Sequence, residues 1–363
     1  MYDIKFIQDV TAFKERLVAG EMTRQDVVGI ERELDRLRSR VPHVFNIETT
    51  NHCNMTCIMC PRTTLMTRGI EWINENAFDQ VLDQIKPHET EALDKFWSFI
   101  KDYYGITFDH RGENAFYFYI VSRCVILHGY GEPLVDRNIV DRVQACTDRG
   151  IPTYFSCVPA NITVKRAERV MKAGLSVLKF SIDSLTDEKQ KEIRGRHNNF
   201  ESAYRTMLDV IEMRDREGYK TIIVPTMIAL SEDDESREMH EQFLRLWKDH
   251  DVFAYVKSQD NRWYFEDDAE MQNRSHYQKQ YCEYPWTSLT VMADGSVVPC
   301  TQDYDCEMAQ GNIYDQSLEE IWNGENYQNL RRWHITGDFP AGHKCAERCD
   351  QVKLFSRLKS ASN

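Results

Sequence analysis

The sequence predicts an α/β protein: a partial parallel barrel of six strand–helix units, (β/α)6, followed by a small α+β module. Three observations carry this expectation. Six apolar runs rich in β-branched residues alternate with segments of helical periodicity. Three thiols share one short loop directly after the first run, and a second set of cysteines gathers around a hairpin signal near the C-terminus.

Composition sets outer bounds. A chain of 363 residues is long enough for one large barrel and an appended module. Apolar content of 42% and charged content of 28% are ordinary for a globular protein. A net charge of −13 argues against nucleic-acid partners, which require a basic footprint. No apolar run approaches the roughly 18 residues of a membrane span, and Met1-Tyr2-Asp3 does not open a signal peptide. Eleven cysteines without a secretion signal point to metal ligands in a reducing compartment, so a cytoplasmic location is expected.

Residues 1–42 read as a helical preamble, with Phe6, Val10, Phe13, Leu17 and then Val27, Ile30, Leu34, Leu37 at helical spacing. The barrel core is placed at 43–260. Its first strand is expected at 44–49 and its first crossover helix at 73–85. Residues 87–119 read as an insertion, with a helix over 90–104 and an aromatic segment from Phe116 to Tyr119. That insertion suits either an amphipathic helix and hairpin packed on the barrel or a lid over the substrate. Further strands are expected at 122–128, 152–157, 177–182, 221–227 and 252–257, with helices at about 136–148, 163–173, 200–217 and 236–248. Short links between these elements imply right-handed βαβ units and a parallel sheet. Active groups then belong at the C-terminal ends of the strands.

Residues 261–281 are polar, aromatic and poor in pattern, and read as a linker. The module at 282–363 contains two β-runs, 288–292 and 296–299, flanking Ala293-Asp294-Gly295. An Asp-Gly step between such runs is a hairpin signal. It would bring Cys282 and Cys300 together, and Cys345 and Cys349 add two more thiols after a helical stretch around Trp322. Four thiols so arranged suit a 4Fe–4S cluster or a zinc ion.

The chemistry centres on Cys53, Cys57 and Cys60, spaced C-x3-C-x2-C. Thiolate ligation selects zinc or iron–sulfur over hard cations. A structural zinc would need a fourth ligand, and the nearest donor, His52, adjoins Cys53 and is poorly placed to close a tetrahedron. A 4Fe–4S cluster on three cysteines leaves one iron open. The strand at 122–128 ends in Gly129-Tyr130-Gly131-Glu132-Pro133, and the strand at 177–182 ends in Ser181-Ile182-Asp183-Ser184. Taken alone, these are an ordinary turn and a helix N-cap.

Together, the three-thiol loop, the Gly131-Glu132-Pro133 turn and the C-terminal cysteine set resemble the radical S-adenosylmethionine (radical SAM) superfamily with a SPASM/twitch extension. The resemblance implies a SAM-binding 4Fe–4S cluster, SAM itself and an auxiliary 4Fe–4S cluster on Cys282, Cys300, Cys345 and Cys349. It implies that Gly129, Gly131, Glu132 and Pro133 surround the SAM amino group, with Tyr130 a departure from the usual double glycine. Ser181 and Asp183 would lie at the ribose and Arg194 at the SAM carboxylate. Only five cysteines lie in the module, fewer than a full SPASM set, so one auxiliary cluster is expected and Cys306 is left over. Cys157 and Cys306 are candidate hydrogen donors to a substrate radical; Cys124 and Cys146 read as plain buried thiols. His128 suits either a core position or the cavity wall.

The resemblance further implies SAM cleavage to a 5′-deoxyadenosyl radical, with electrons from a flavodoxin or ferredoxin-type donor. Hydrogen abstraction from a small polar substrate, a sugar or aminocyclitol, would lead to oxidation, epimerisation or elimination. A maturase acting on a peptide is the enzymatic alternative, and an iron–sulfur electron carrier or sensor is the alternative outside enzymes. A carrier has no use for the SAM-binding turn.

Overall fold

The computed structural model describes residues 1–231, 233–258, 280–349 and 351–360; most of the expected linker lies outside them. Six parallel strands form the expected series: β1 (Val44–Ile47), β2 (Val125–Ile126), β3 (Thr153–Cys157), β4 (Val177–Ser181), β5 (Ile222–Ala229) and β6 (Tyr255–Ser258). Three short strands follow: β7 (Leu289–Val291), β8 (Ser296–Val298) and β9 (Gly311–Asn312). Among the described residues the sheet order is β6-β5-β4-β3-β2-β1-β7-β8-β9. The hairpin is therefore not a separate sheet. β7 pairs parallel with β1, Asn46 opposite Thr290, and β8 and β9 continue antiparallel.

The crossovers are helices whose ends are written in the sequence. Helix Phe200–Glu217 begins where the Asn199 side chain accepts from the Ser202 amide. Helix Leu318–Asn323 carries a reciprocal capping box between Ser317 and Glu320. The preamble forms three helices, Ile4–Asp9, Thr11–Ala19 and Val27–Leu37. A further helix, Asp187–Arg194, was not expected from periodicity, because its exposed face is almost wholly charged.

Strand alternation divides the core in two. Leu178, Phe180, Phe155, Cys157 and Ile223 face the outer helices. Tyr154, Val177, Val224 and Tyr255 face inward, where they meet Leu93, Phe96, Phe116 and Phe118 of the insertion. The aromatic segment expected as a hairpin is a helix, Glu113–Arg123, and it delays the start of the second strand to Val125. Aromatic residues favour strands. Here the chance to bury Phe116 between Tyr154, Phe253 and Tyr255, at ring separations of 5.2 to 5.8 Å, overrides that preference. The insertion meets the inner face near the starts of the strands and so forms a floor. A lid would have to stand at the opposite end, where the thiol loop lies.

Candidate active site

The thiol loop follows β1 directly and is held by three neighbours. The Ile58 amide donates to the Ile193 carbonyl at 3.0 Å, the Glu132 amide donates to the His52 carbonyl at 2.9 Å, and an Arg62 Nη donates to the Met55 carbonyl at 2.7 Å. Cys53, Cys57 and Cys60 pack with Met55, Met59 and Val158 in one apolar cluster. Burial pushes the Cys53 thiol up to about 11 and raises Cys60 as well. Thiols in such a setting reach the thiolate state when metal binding displaces the proton. Among the described residues no three His, Cys, Asp or Glu side chains converge on a single ion. A 4Fe–4S cluster makes no such demand, since each thiolate takes its own iron.

The turn after β2 is pressed against this loop. A Cβ on Gly131 would lie 2.1 Å from the Thr50 carbonyl oxygen and 2.9 Å from that of His52. Only glycine permits that approach. Gly129 packs on the Glu48 side chain, where a Cβ would meet Oε1 at 2.5 Å. Pro133 opens a short 3-10 turn and is buried.

Glu132 is 3% exposed. Its carboxylate accepts from the Leu134 amide at 3.2 Å, the Val158 amide at 3.1 Å and the Asn161 side chain. Among the described residues no cation is within ion-pair distance, and burial pushes the carboxyl up to about 7. A buried carboxylate beside the thiol loop, lacking a cationic partner, fits an incoming ammonium group. Glu132→Gln is expected to weaken SAM binding about ten- to a hundredfold while leaving iron content unchanged. A charge-assisted hydrogen bond contributes roughly 1.5–3 kcal/mol. Equilibrium dialysis with labelled SAM checks this, and wild-type affinity in the variant would remove Glu132 from the site.

Arg194 and Asp183 form a buried ion pair, and a second guanidinium nitrogen of Arg194 stands 3.7 Å from the Cys57 sulfur. Asp183 also accepts from the Ile228 amide at 2.9 Å. Its carboxylate thus holds both Arg194 and the end of β5. Gly195, with φ +100°, ends this helix, and a Cβ there would lie 2.5 Å from the Thr56 hydroxyl. Ser181 Oγ is 3.1 Å from Ser156 Oγ on the same inner face.

Of the two candidate hydrogen donors, Cys157 packs among the outer-face residues and is 2% exposed. The side chain of β3 that faces inward is Ser156, so Cys157 is on the wrong face to reach a substrate. Cys306 takes a left-handed conformation, φ +57°, in a turn beside Arg68. Burial pushes its thiol up to about 12.

Cys282, Cys300 and Cys349 lie near Cys345. The Cys345 thiol is held well above the ordinary range, first by burial and then by Cys349, Cys282 and Cys300 beside it. Cys306 is absent from that group.

Sequence reasoning missed two features. The first is a buried bridge from Arg68 to Glu48 at 2.6 Å. Glu48 also accepts from the Tyr130 and Ala293 amides at 3.0 and 3.2 Å, and Arg68 donates to the Tyr304 carbonyl at 2.6 Å. One ion pair therefore ties the thiol loop to both the turn after β2 and the C-terminal module. The second is a pair of lysines, Lys179 on β4 and Lys257 on β6, on the inner face of the sheet. Burial, then Lys257 and Arg194, lower Lys179 to about 7. His128, which receives the Ser156 amide at 3.2 Å, is held at about 3 by burial and by both lysines. A period-two alternation places Lys179 beside Ser181 on the inner face, but an isolated lysine in a strand reads as solvent-facing.

Thiol loop, buried carboxylate and clamped glycine thus stand together beyond the ends of β1 and β2. Residues 47–244 match the radical SAM superfamily, and residues 282–350 match SPASM, an iron–sulfur cluster-binding domain. The first match spans more than half of the chain, which belongs to the radical SAM superfamily. Its cofactors are accordingly a radical SAM 4Fe–4S cluster, SAM and an auxiliary iron–sulfur cluster in the SPASM domain. The chain is similar to the S-adenosyl-L-methionine-dependent 2-deoxy-scyllo-inosamine dehydrogenase of Niallia circulans. The two are 19% identical over 324 residues, covering 88% of this chain and 96% of the relative. Streptococcus suis SuiB bound to S-adenosylmethionine shares the fold, with TM-score 0.51 and 12% identity over 89% of this chain and 72% of that one. BtrN in complex with AdoMet and 2-DOIA aligns with TM-score 0.48 and 16% identity, covering 85% of this chain and 96% of that one. No described helix is long and apolar enough to cross a membrane.

Proposed function

We propose that the enzyme oxidises a carbinol carbon of a small hydroxylated molecule. In this reading Cys53, Cys57 and Cys60 hold the SAM-binding cluster, and Cys282, Cys300, Cys345 and Cys349 hold the auxiliary one. Glu132 receives the SAM ammonium group, Arg194 its carboxylate and Ser181 its ribose. When bound, these groups supply a 5′-deoxyadenosyl radical that takes one hydrogen atom and an acceptor for a second electron.

The observation that carries the reading is Lys179. Oxidising an alcohol also requires a base for the hydroxyl proton. Lys179 is inward-facing, with its pKa lowered to about 7 by burial and by Lys257 and Arg194. A base poised near the working pH is the efficient choice. Its Nζ also stands 6.0 Å from the Phe116 ring, above the aromatic floor. The insertion's aromatic side chains pack against the inner face below Lys179, which favours a compact substrate over a peptide. Two lysines disfavour an ammonium-bearing substrate and favour a neutral or acidic polyol. The dehydrogenase relative supports oxidation as the reaction type.

The test supplies reduced holoenzyme with SAM and cyclic polyols deuterated at the carbinol carbon. The expected result is deuterium in 5′-deoxyadenosine and a carbonyl product that has lost one deuterium and one proton, at a rate rising through about pH 7 as Lys179 loses its proton. In Cys345→Ala the ratio of product to 5′-deoxyadenosine should fall while the nucleoside still forms. A ratio equal to wild type in a folded variant leaves the auxiliary site a structural staple. Modification of a peptide with no change in any polyol would replace this reading with the maturase.

A further inference from the structure

Away from the thiol loop, a cavity of about 370 Å³ opens between helix Val27–Leu37 and helix Glu325–Thr336 of the C-terminal module. Its wall includes Arg32, Arg38, Arg40 and Arg331, against the acids Glu31 and Asp35. In a chain of net charge −13 this is a local reversal of sign.

The imbalance is sharper than the census suggests. Asp35 is shared, accepting from Arg38 at 2.8 Å and Arg40 at 2.7 Å. Glu31 is engaged by Arg332, outside the wall, at 3.1 Å. Arg331 is 4% exposed. Its Nε donates to the Pro285 carbonyl at 2.8 Å, and the Trp322 and Tyr327 rings stand 4.4 and 5.0 Å from its guanidinium carbon. Both of its Nη atoms are buried and have no hydrogen-bond partner among the described residues. Ring faces and one carbonyl do not neutralise a buried guanidinium, which ordinarily requires an anion. Burial, reinforced by Arg38, lowers Arg331 to about 9, in keeping with a missing counter-charge.

We infer that this pocket binds a small molecule through a phosphoryl group. Arg38, Arg40 and Arg331 present three guanidiniums around one carboxylate, leaving room for a dianion. A phosphoryl group carries close to two negative charges on one centre and matches that surplus, whereas a carboxylate carries one. Arg40, with its side chain 61% exposed, makes the first contact, and the buried Arg38 and Arg331 supply charge from the wall. Val28 at the wall, 59% exposed, gives the rest of the ligand an apolar surface.

The test is calorimetric titration of the reconstituted holoprotein with inorganic phosphate, with succinate as the carboxylate arm, at constant ionic strength. Saturable phosphate binding is expected, weakened about tenfold or more in Arg40→Glu and in Arg331→Met. Arg40 is exposed, so its variant remains informative if Arg331→Met fails to fold. Absence of saturable phosphate binding, equal affinity in Arg40→Glu, or tighter binding of succinate would each overturn the inference. The readout does not depend on catalysis, so its failure leaves the dehydrogenase reading untouched.

Discussion

Replacing Cys53, Cys57 and Cys60 together by Ala is expected to abolish 5′-deoxyadenosine formation and to leave about half of the iron. The basis is the division of thiols into two sets. The first packs with Met55, Met59 and Val158 beneath the Glu132 turn. The second gathers around Cys345. Two 4Fe–4S clusters would give about eight iron and eight sulfide per chain after anaerobic reconstitution, and the variant about four of each. The remaining cluster lacks the Glu132 and Arg194 surroundings, so SAM should not be cleaved. Iron and sulfide assays on the folded variant decide the matter. Retention of the full iron content would show that the ligands are divided differently.

Gly131→Ala should disable the same site without touching a ligand. The added methyl would meet the Thr50 carbonyl at 2.1 Å and the His52 carbonyl at 2.9 Å. Both are backbone atoms of the thiol loop, so no side chain can rotate away. Relief requires separating two segments that are bound by the Glu132 amide and the His52 carbonyl. Overpacking of this kind costs roughly 1–3 kcal/mol. SAM affinity should fall at least about tenfold, because Glu132 moves with the turn. Gly29→Ala is the control, since a Cβ there meets nothing within 4 Å. Chemical denaturation and SAM binding measured on both variants distinguish local strain from a general effect. Wild-type stability and SAM affinity in Gly131→Ala would refute the clamped arrangement.

Much of the site was legible because its signals are local. The C-x3-C-x2-C spacing, the Gly131-Glu132-Pro133 turn and the apolar runs of β1 to β5 are each contained in a few residues. Asn199 and Ser317 mark helix starts by side-chain chemistry that acts over three residues. The ion pair of Asp183 was not legible: its partner Arg194 is eleven residues away, and only the turn of the chain between them brings the two together.

By itself, then, the sequence determined the βα alternation and two separate thiol sets. Hydrophobic period and ligand spacing are properties of neighbouring residues and survive without knowledge of the fold. Tertiary structure alone decided that β7 continues the sheet from β1, across 245 residues between Val44 and Leu289. It decided that the aromatic insertion is a helical floor, because Phe116 gains more from burial against Tyr154 and Tyr255 than from strand geometry. The fold also brought Lys179 and Lys257 to one inner face and Arg38 and Arg331 to one pocket. Like charges are driven together only where packing elsewhere holds them, and that force has no signature in the residues beside them.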